Sequence, residues 1–160
     1  MKKEYITSSL VQTKKLGRKF AKDILKKKPE KTAFIIGLEG ELGGGKTTFL
    51  QGFAKGLGIK EKILSPTFVI IKRFPIPKKR NRVTFKRNSV PFLSNFYHID
   101  CYRIKKPKEL LDLDFKEIIL NPKNIVAIEW ADKVKKIMPK NTLWIKFDFI
   151  DEKTRRISIC

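Results

Sequence analysis

The run Gly40-Glu41-Leu42-Gly43-Gly44-Gly45-Lys46-Thr47 constrains this chain more than any other feature. It matches G-x-x-x-x-G-K-[ST] at every position. Three adjacent glycines are hard to justify as a turn that serves structure alone. They do let backbone N–H groups turn inward around phosphate oxygens, where side chains would block the approach. A helix that follows points its positive end at the same anion. Lys46 can then reach the outer phosphates, and the Thr47 hydroxyl can hold Mg²⁺. The pattern alone has false positives, but the context it demands is present. Ala33–Leu38 is a continuous apolar run, as expected of a strand buried on both faces of a parallel sheet. Thr47–Leu57 reads as a helix, stopped by Gly58.

The other elements arrange themselves around this unit. At 160 residues the chain is expected to be a single domain, 1–160. Tyr5-Ile6 is a short strand candidate. Ser9 and Gln12 fit a capping box for a helix whose apolar face is Leu10, Leu16, Phe20, Ala21 and Ile24, ended by the lysines before Pro29. Phe68–Ile71 is an apolar strand introduced by Ser65-Pro66. From 72 the chain changes character, with Lys72, Arg73, Lys78, Lys79, Arg80, Arg82, Lys86 and Arg87 and no acid up to position 90. Pro75 and Pro77 are expected to break regular structure there. The segment 72–93 reads as a basic inserted loop or hairpin, with Val83–Phe85 a possible strand. Asn95–Asp100 and Asn124–Glu129 are strands that each end in an acid. Lys108–Leu120 carries one helical face. Leu143–Phe149 alternates with period two, and Arg156–Ile159 returns after a turn at Asp151–Lys153, an antiparallel C-terminal hairpin.

A phosphate loop needs a second Mg²⁺ ligand or a water-orienting acid at the end of a neighbouring strand. Asp100 and Glu129 both qualify, because ligands of open α/β sheets lie beyond the carboxyl ends of the strands. Either can also be an ordinary solvated carboxylate at a strand end. Trp130 is more often a core or rim aromatic than a base-stacking residue.

Taken together, Gly40–Thr48, Ser65-Pro66-Thr67-Phe68, His98-Ile99-Asp100-Cys101-Tyr102-Arg103 and Ile128-Glu129-Trp130 resemble the bacterial tRNA threonylcarbamoyladenosine biosynthesis ATPases, the TsaE (YjeE) family. The loop is generic; the combination of the other three motifs is specific. The resemblance implies an α/β P-loop NTPase fold, with a mostly parallel central sheet flanked by helices. It implies Mg-ATP held by Gly43, Gly44, Gly45, Lys46, Thr47 and Thr48, with Thr47 and Glu129 on Mg²⁺. It implies that Lys46 and Asp100 serve hydrolysis and that Thr67 lies in a switch-like loop near the γ-phosphate. Adenine is expected near Ser9, with Arg155 of the final hairpin nearby. The implied partners are threonylcarbamoyl-transferase proteins of the TsaD and TsaB families, and tRNA directly or through them. The long link 72–93 departs from the short turn usual in the family, and it bears on the partner surface.

Lys plus Arg is 37 and Asp plus Glu is 16, a net charge of +21 that favours a polyanionic partner, unless the lysines reflect genome bias. No apolar run approaches the ~18 residues of a membrane span, and no apolar stretch follows the basic start, so a cytoplasmic location is expected. Two cysteines and one histidine make neither a disulfide framework nor a zinc site. Two other functions compete. A small-molecule P-loop kinase would use the basic segment as a lid, but no D-x-D or D-x-R acceptor signature follows the loop. An RNA-binding module with a vestigial P-loop would explain the charge, but not the intact Lys46-Thr47 pair.

Overall fold

The apolar run after Lys31 becomes the strand β2, Phe34–Gly40, in the middle of a seven-stranded sheet, where no side chain has to face water. The structure is a computed structural model and describes residues 3–27, 31–65, 70–77 and 95–160. In chain order its elements are β1 (Lys3–Thr7), α1 (Leu10–Ile24), β2, α2 (Lys46–Gly56), β3 (Ile71–Pro75), β4 (Asn95–Asp100), α3 (Pro107–Leu111), α4 (Phe115–Leu120), β5 (Asn124–Glu129), a 3₁₀ segment Ala131–Ile137, β6 (Leu143–Phe149) and β7 (Arg155–Ile159). The strand order is β1-β7-β6-β2-β5-β4-β3. The four central strands β6, β2, β5 and β4 are parallel, and the pairs β1–β7, β6–β7 and β3–β4 are antiparallel. This is the mostly parallel sheet with a C-terminal hairpin expected above.

Helices cover both faces, as a parallel sheet requires. On one face α1 and α2 close a core of Ile36, Leu38, Phe49, Phe53, Phe96 and Phe147. On the other, α3, α4 and the 3₁₀ segment cover Ile35, Ile99, Leu110, Phe115, Val126 and Val134. The α1–α2 contact is unusually close. A Cβ on Gly17 would stand 2.2 Å from the Phe49 carbonyl oxygen, and one on Gly52 would stand 2.0 Å from that of Lys14. Backbone meets backbone there, which only glycine permits.

Three expectations are corrected. Of the strand expected at Phe68–Ile71, Phe68 and Val69 fall outside the described residues, Ile70 lies before β3, and Ile71 opens β3, which runs on to Pro75, where a break was expected. Lys72 and Arg73 belong to β3, one arm of the antiparallel β3–β4 pair. Pro75 is tolerated because, among the described residues, β3 is an edge strand, hydrogen-bonded to β4 alone. The remainder of the basic segment, 78–94, with Val83–Phe85, lies outside the described residues. The helix expected over Lys108–Leu120 is two. Asp114 takes φ 56° between them, a left-handed turn that Asp accepts more readily than most residues. The turn lets Leu110 and Phe115 enter the same core. Finally, Ser9 caps α1 by accepting from the Gln12 amide at 3.2 Å, but the Gln12 side chain reaches back to the Ser8 amide at 2.7 Å, one residue before the cap.

Candidate functional site

The site lies at the carboxyl ends of β2, β5 and β4. Parallel pairing puts Leu38 opposite Glu129 and Asp100 opposite Glu129, so the loop after β2 and both acids meet at one edge. The pleat sends alternate side chains to opposite faces. His98 and Asp100 on β4, and Glu129 on β5, therefore turn to the face covered by α2.

Gly43 and Gly45 take φ 75° and 98°, conformations that L side chains rarely adopt. Gly45 is the N-cap of α2. No side chain caps that end, and its first turn holds no acidic residue. The first-turn N–H groups and the helix dipole thus face outward with their positive charge uncancelled by the chain itself.

Lys46 begins α2 and is 4% exposed. Its Nζ donates to the carbonyl oxygens of Gly40 at 2.6 Å and Glu41 at 2.8 Å, and stands 4.0 Å from the centre of the Trp130 ring. Burial holds its pKa below the ordinary 10.5, against the pull of Glu129, Asp100 and Asp132. Trp130, with φ 58°, is thus a rim residue that covers the lysine, with Tyr102 packed on it at 5.1 Å.

The Thr47 Oγ1 donates to Glu129, 2.9 Å from each of the two carboxylate oxygens. Glu129 is 3% exposed, and its Oε1 also meets His98 Nε2 at 2.8 Å. Asp100 is held separately. Its Oδ1 accepts from the Tyr102 amide at 2.8 Å and its Oδ2 from the Ser65 hydroxyl. The two candidate acids thus sit on adjacent strands with different partners, one joined to the threonine of the loop and one to the segment that leads into Thr67. Thr67 itself lies outside the described residues. Thr48 is half-buried on the first turn of α2.

Of the two residues expected near adenine, Arg155 lies beside the loop. The Arg155 Nε donates to the Gly43 carbonyl at 3.1 Å, and the guanidinium lies 4.5 Å over the Phe149 ring. A Cβ on Gly45 would stand 3.7 Å from Arg155 Cγ and 3.8 Å from Thr13 Cγ2, so β7 and α1 both border the loop. Ser9 is one turn before Thr13, with its hydroxyl engaged in the helix cap. His98, Ser65 and Tyr102 also hold the two acids, roles that their residue types alone do not indicate. The spacing of the H-x-D-x-Y motif was the available signal.

Hard oxygen donors from a hydroxyl and a carboxylate suit Mg²⁺, which takes one or two protein carboxylates and completes its shell with water and phosphate oxygens. The open α2 start, the buried ammonium and the Thr47–Glu129 pair together fit a magnesium nucleotide.

Comparison with known proteins shows the family. The family model for "Threonylcarbamoyl adenosine biosynthesis protein TsaE" matches residues 7–157. Proteins named tRNA threonylcarbamoyladenosine biosynthesis protein TsaE are similar to this chain. The one from Haemophilus influenzae is 31% identical over 138 residues, 86% of this chain and 77% of its own. The one from Rickettsia prowazekii is 31% identical over 153 residues, 95% of this chain and 90% of its own. A crystal structure of Bacillus subtilis YdiB superposes with a TM-score of 0.70 at 26% identity, covering 99% of this chain and 84% of that one.

Proposed function

The chain belongs to the TsaE family of threonylcarbamoyl adenosine biosynthesis proteins, and on that premise we propose that it binds and hydrolyses Mg-ATP in support of threonylcarbamoyladenosine (t6A) modification of tRNA. Its partners in this reading are threonylcarbamoyl-transferase proteins of the TsaD and TsaB families, with tRNA met directly or through them, in the cytoplasm. Among the described residues no helix is long and apolar enough to cross a membrane. The observation that carries the nucleotide assignment is the Thr47 hydroxyl held against both oxygens of Glu129, beside Lys46 at the uncapped start of α2.

Bound Mg²⁺ would neutralise charge on the phosphate oxygens. The remaining work belongs to the chain. Gly43, Gly44 and Gly45 leave room for backbone amides to approach phosphate, and the α2 start, with Thr48, adds its dipole. Lys46 exchanges its two carbonyl partners for phosphate oxygens and carries charge to where it develops. Thr47 and Glu129 supply oxygen ligands. Asp100, oriented by Tyr102 N–H and Ser65, holds the attacking water and takes its proton at the carboxylate. Thr67 approaches the γ-phosphate, and Ser9 and Arg155 border the adenine end.

Phosphate release from labelled ATP, with Mg²⁺ and with EDTA, tests this. Glu129→Ala should lose Mg²⁺-dependent binding. Asp100→Asn should bind Mg-ATP nearly as the parent does but hydrolyse it poorly, because a water-positioning group acts mainly in the transition state. Loss of binding in step with activity in Asp100→Asn would make it a ligand. Transfer of label to a small acceptor would favour a kinase, and binding without turnover an RNA module. Faster hydrolysis with the transferase proteins is the outcome expected here.

A further inference from the structure

His98 is the only histidine in the chain and is fully buried, on β4 between Phe96 and Asp100 along the face that packs on α2. Nothing in the function proposed above uses it. Its Nε2 lies 2.8 Å from Glu129 Oε1. Its Nδ1 is the one buried side-chain polar atom without a hydrogen-bond partner among the described residues. A half-satisfied imidazole in an apolar slot weakens a fold, because a desolvated polar atom without a partner is unfavourable. Leucine or phenylalanine there would remove that penalty and keep the packing. Core packing therefore does not account for a histidine at this position, whereas the bond made by Nε2 does.

Glu129 has a flexible side chain, and the Thr47 hydroxyl that meets it is itself a rotor. Among the described residues, the imidazole N–H is the one donor to this carboxylate with a direction fixed by a rigid ring in a packed strand. It grips Oε1 from β4 while Thr47 meets both oxygens from α2. We propose that His98 is a positioning residue for the nucleotide site, in which its Nε2–H sets the plane of the Glu129 carboxylate so that the threonine hydroxyl and the carboxylate are already aligned to take a divalent cation together with the nucleotide. The proposal rests on the Mg-nucleotide reading of the site. It adds a residue that touches neither metal nor nucleotide and acts through Glu129. Partners of this kind typically change metal affinity by about 10–100-fold when removed.

The test uses His98→Leu and His98→Gln in the full chain, with Mn²⁺ as a paramagnetic probe. Three quantities are read: Mn²⁺ affinity in the presence of a non-hydrolysable ATP analogue, affinity for the analogue in EDTA, and the thermal unfolding midpoint. His98→Leu should weaken Mn²⁺ binding by about 10–100-fold, leave the metal-free affinity unchanged and still unfold in one cooperative transition. His98→Gln places an amide N–H where the imidazole Nε2–H was, and should recover most of the metal affinity. If His98→Leu does not fold, His98→Asn replaces it, since that amide is too short to reach Glu129. Equal Mn²⁺ affinity in the parent and in a folded Leu or Asn variant overturns the role of His98 alone. A parent that binds the analogue equally well with and without Mn²⁺ overturns the Mg-nucleotide reading, and this proposal with it.

Discussion

The two long helices of this protein lie side by side on one face of the sheet, and they begin in opposite ways. At the start of α1, Ser9 accepts from the Gln12 amide, a first-turn donor, and Gln12 reaches back to the Ser8 amide just before the cap, so side chains close that end. At the start of α2, Gly45 stands in a left-handed conformation, no side chain caps the end, and no acid enters the first turn. Glycine in place of a side-chain N-cap typically costs a few tenths of a kcal/mol, so leaving the α2 end open is a sacrifice of stability of that order. The lysine that opens α2 adds to it, since its ammonium is buried against two carbonyls and a ring. One helix start is completed by the chain, and the other keeps its positive charge available to an anion.

The largest break of this contrast is Lys46→Met. Turnover should fall by at least about 100-fold, the scale of losing one preorganised charge-stabilising donor. Nucleotide-free stability should not fall, because a desolvated ammonium is removed. The same substitution carries a pH signature. Burial holds the folded-state pKa of Lys46 below the ordinary 10.5. As pH rises from that lowered value towards 10.5, the unfolded chain holds more protons than the folded one, so this group's contribution to stability rises with pH. Below the lowered value the penalty is present in full. Denaturant midpoints of the parent should show this alkaline rise relative to Lys46→Met. Parallel pH profiles, or retained hydrolysis in the variant, would break the account of this lysine.

Making α2 resemble an ordinary helix start is the next perturbation. Thr48→Glu places an acid in the first turn, where it should stabilise the free protein by about 0.3–1 kcal/mol. The same charge should weaken ATP binding by about tenfold or more through repulsion. Calorimetric titration and thermal unfolding read the two effects with opposite signs. Loss of stability together with affinity would point to simple damage.

The smallest effect belongs to the closed end. Ser9→Ala should cost about 1 kcal/mol, which in a domain of this size lowers the unfolding midpoint by about 2–4 °C. Ser9→Asp should restore it, since aspartate is an equally good cap. No recovery with Asp would mean that the Ser9 hydroxyl serves something other than the helix.

Much of this contrast was legible before the structure. The triple glycine, Lys46 and Thr47 announce a phosphate loop by type and spacing, and the acids at 100 and 129 stand out because each ends an apolar run. What escaped was set by three-dimensional context. Pro75 reads as a breaker, and only an edge position makes it compatible with β3. Asp114 sits inside a helical pattern of leucines and isoleucines, so the break between α3 and α4 is hidden by apolar residues that face the same core from two short helices. His98 lies in an apolar strand, where periodicity assigns it to the core; its bond to Glu129 depends on parallel pairing with a strand 26 residues later. Arg155 entered through family likeness, and its contact with the Gly43 carbonyl needs the fold to bring β7 to the loop.

The glycine-lined crossing of α1 and α2 has a mechanical consequence. Where side chains separate two helices, a new rotamer on one side can absorb a shift on the other. At Gly17 and Gly52 there is no such slack, since backbone lies against backbone. Neither helix can slide or tilt without carrying its neighbour, so the capped end and the open end keep a fixed spacing. The pair should therefore loosen as one unit, its amides exchanging hydrogen with similar protection along both helices. A methyl group at Gly52 would act as a wedge, prising the two starts apart from the middle of the helices.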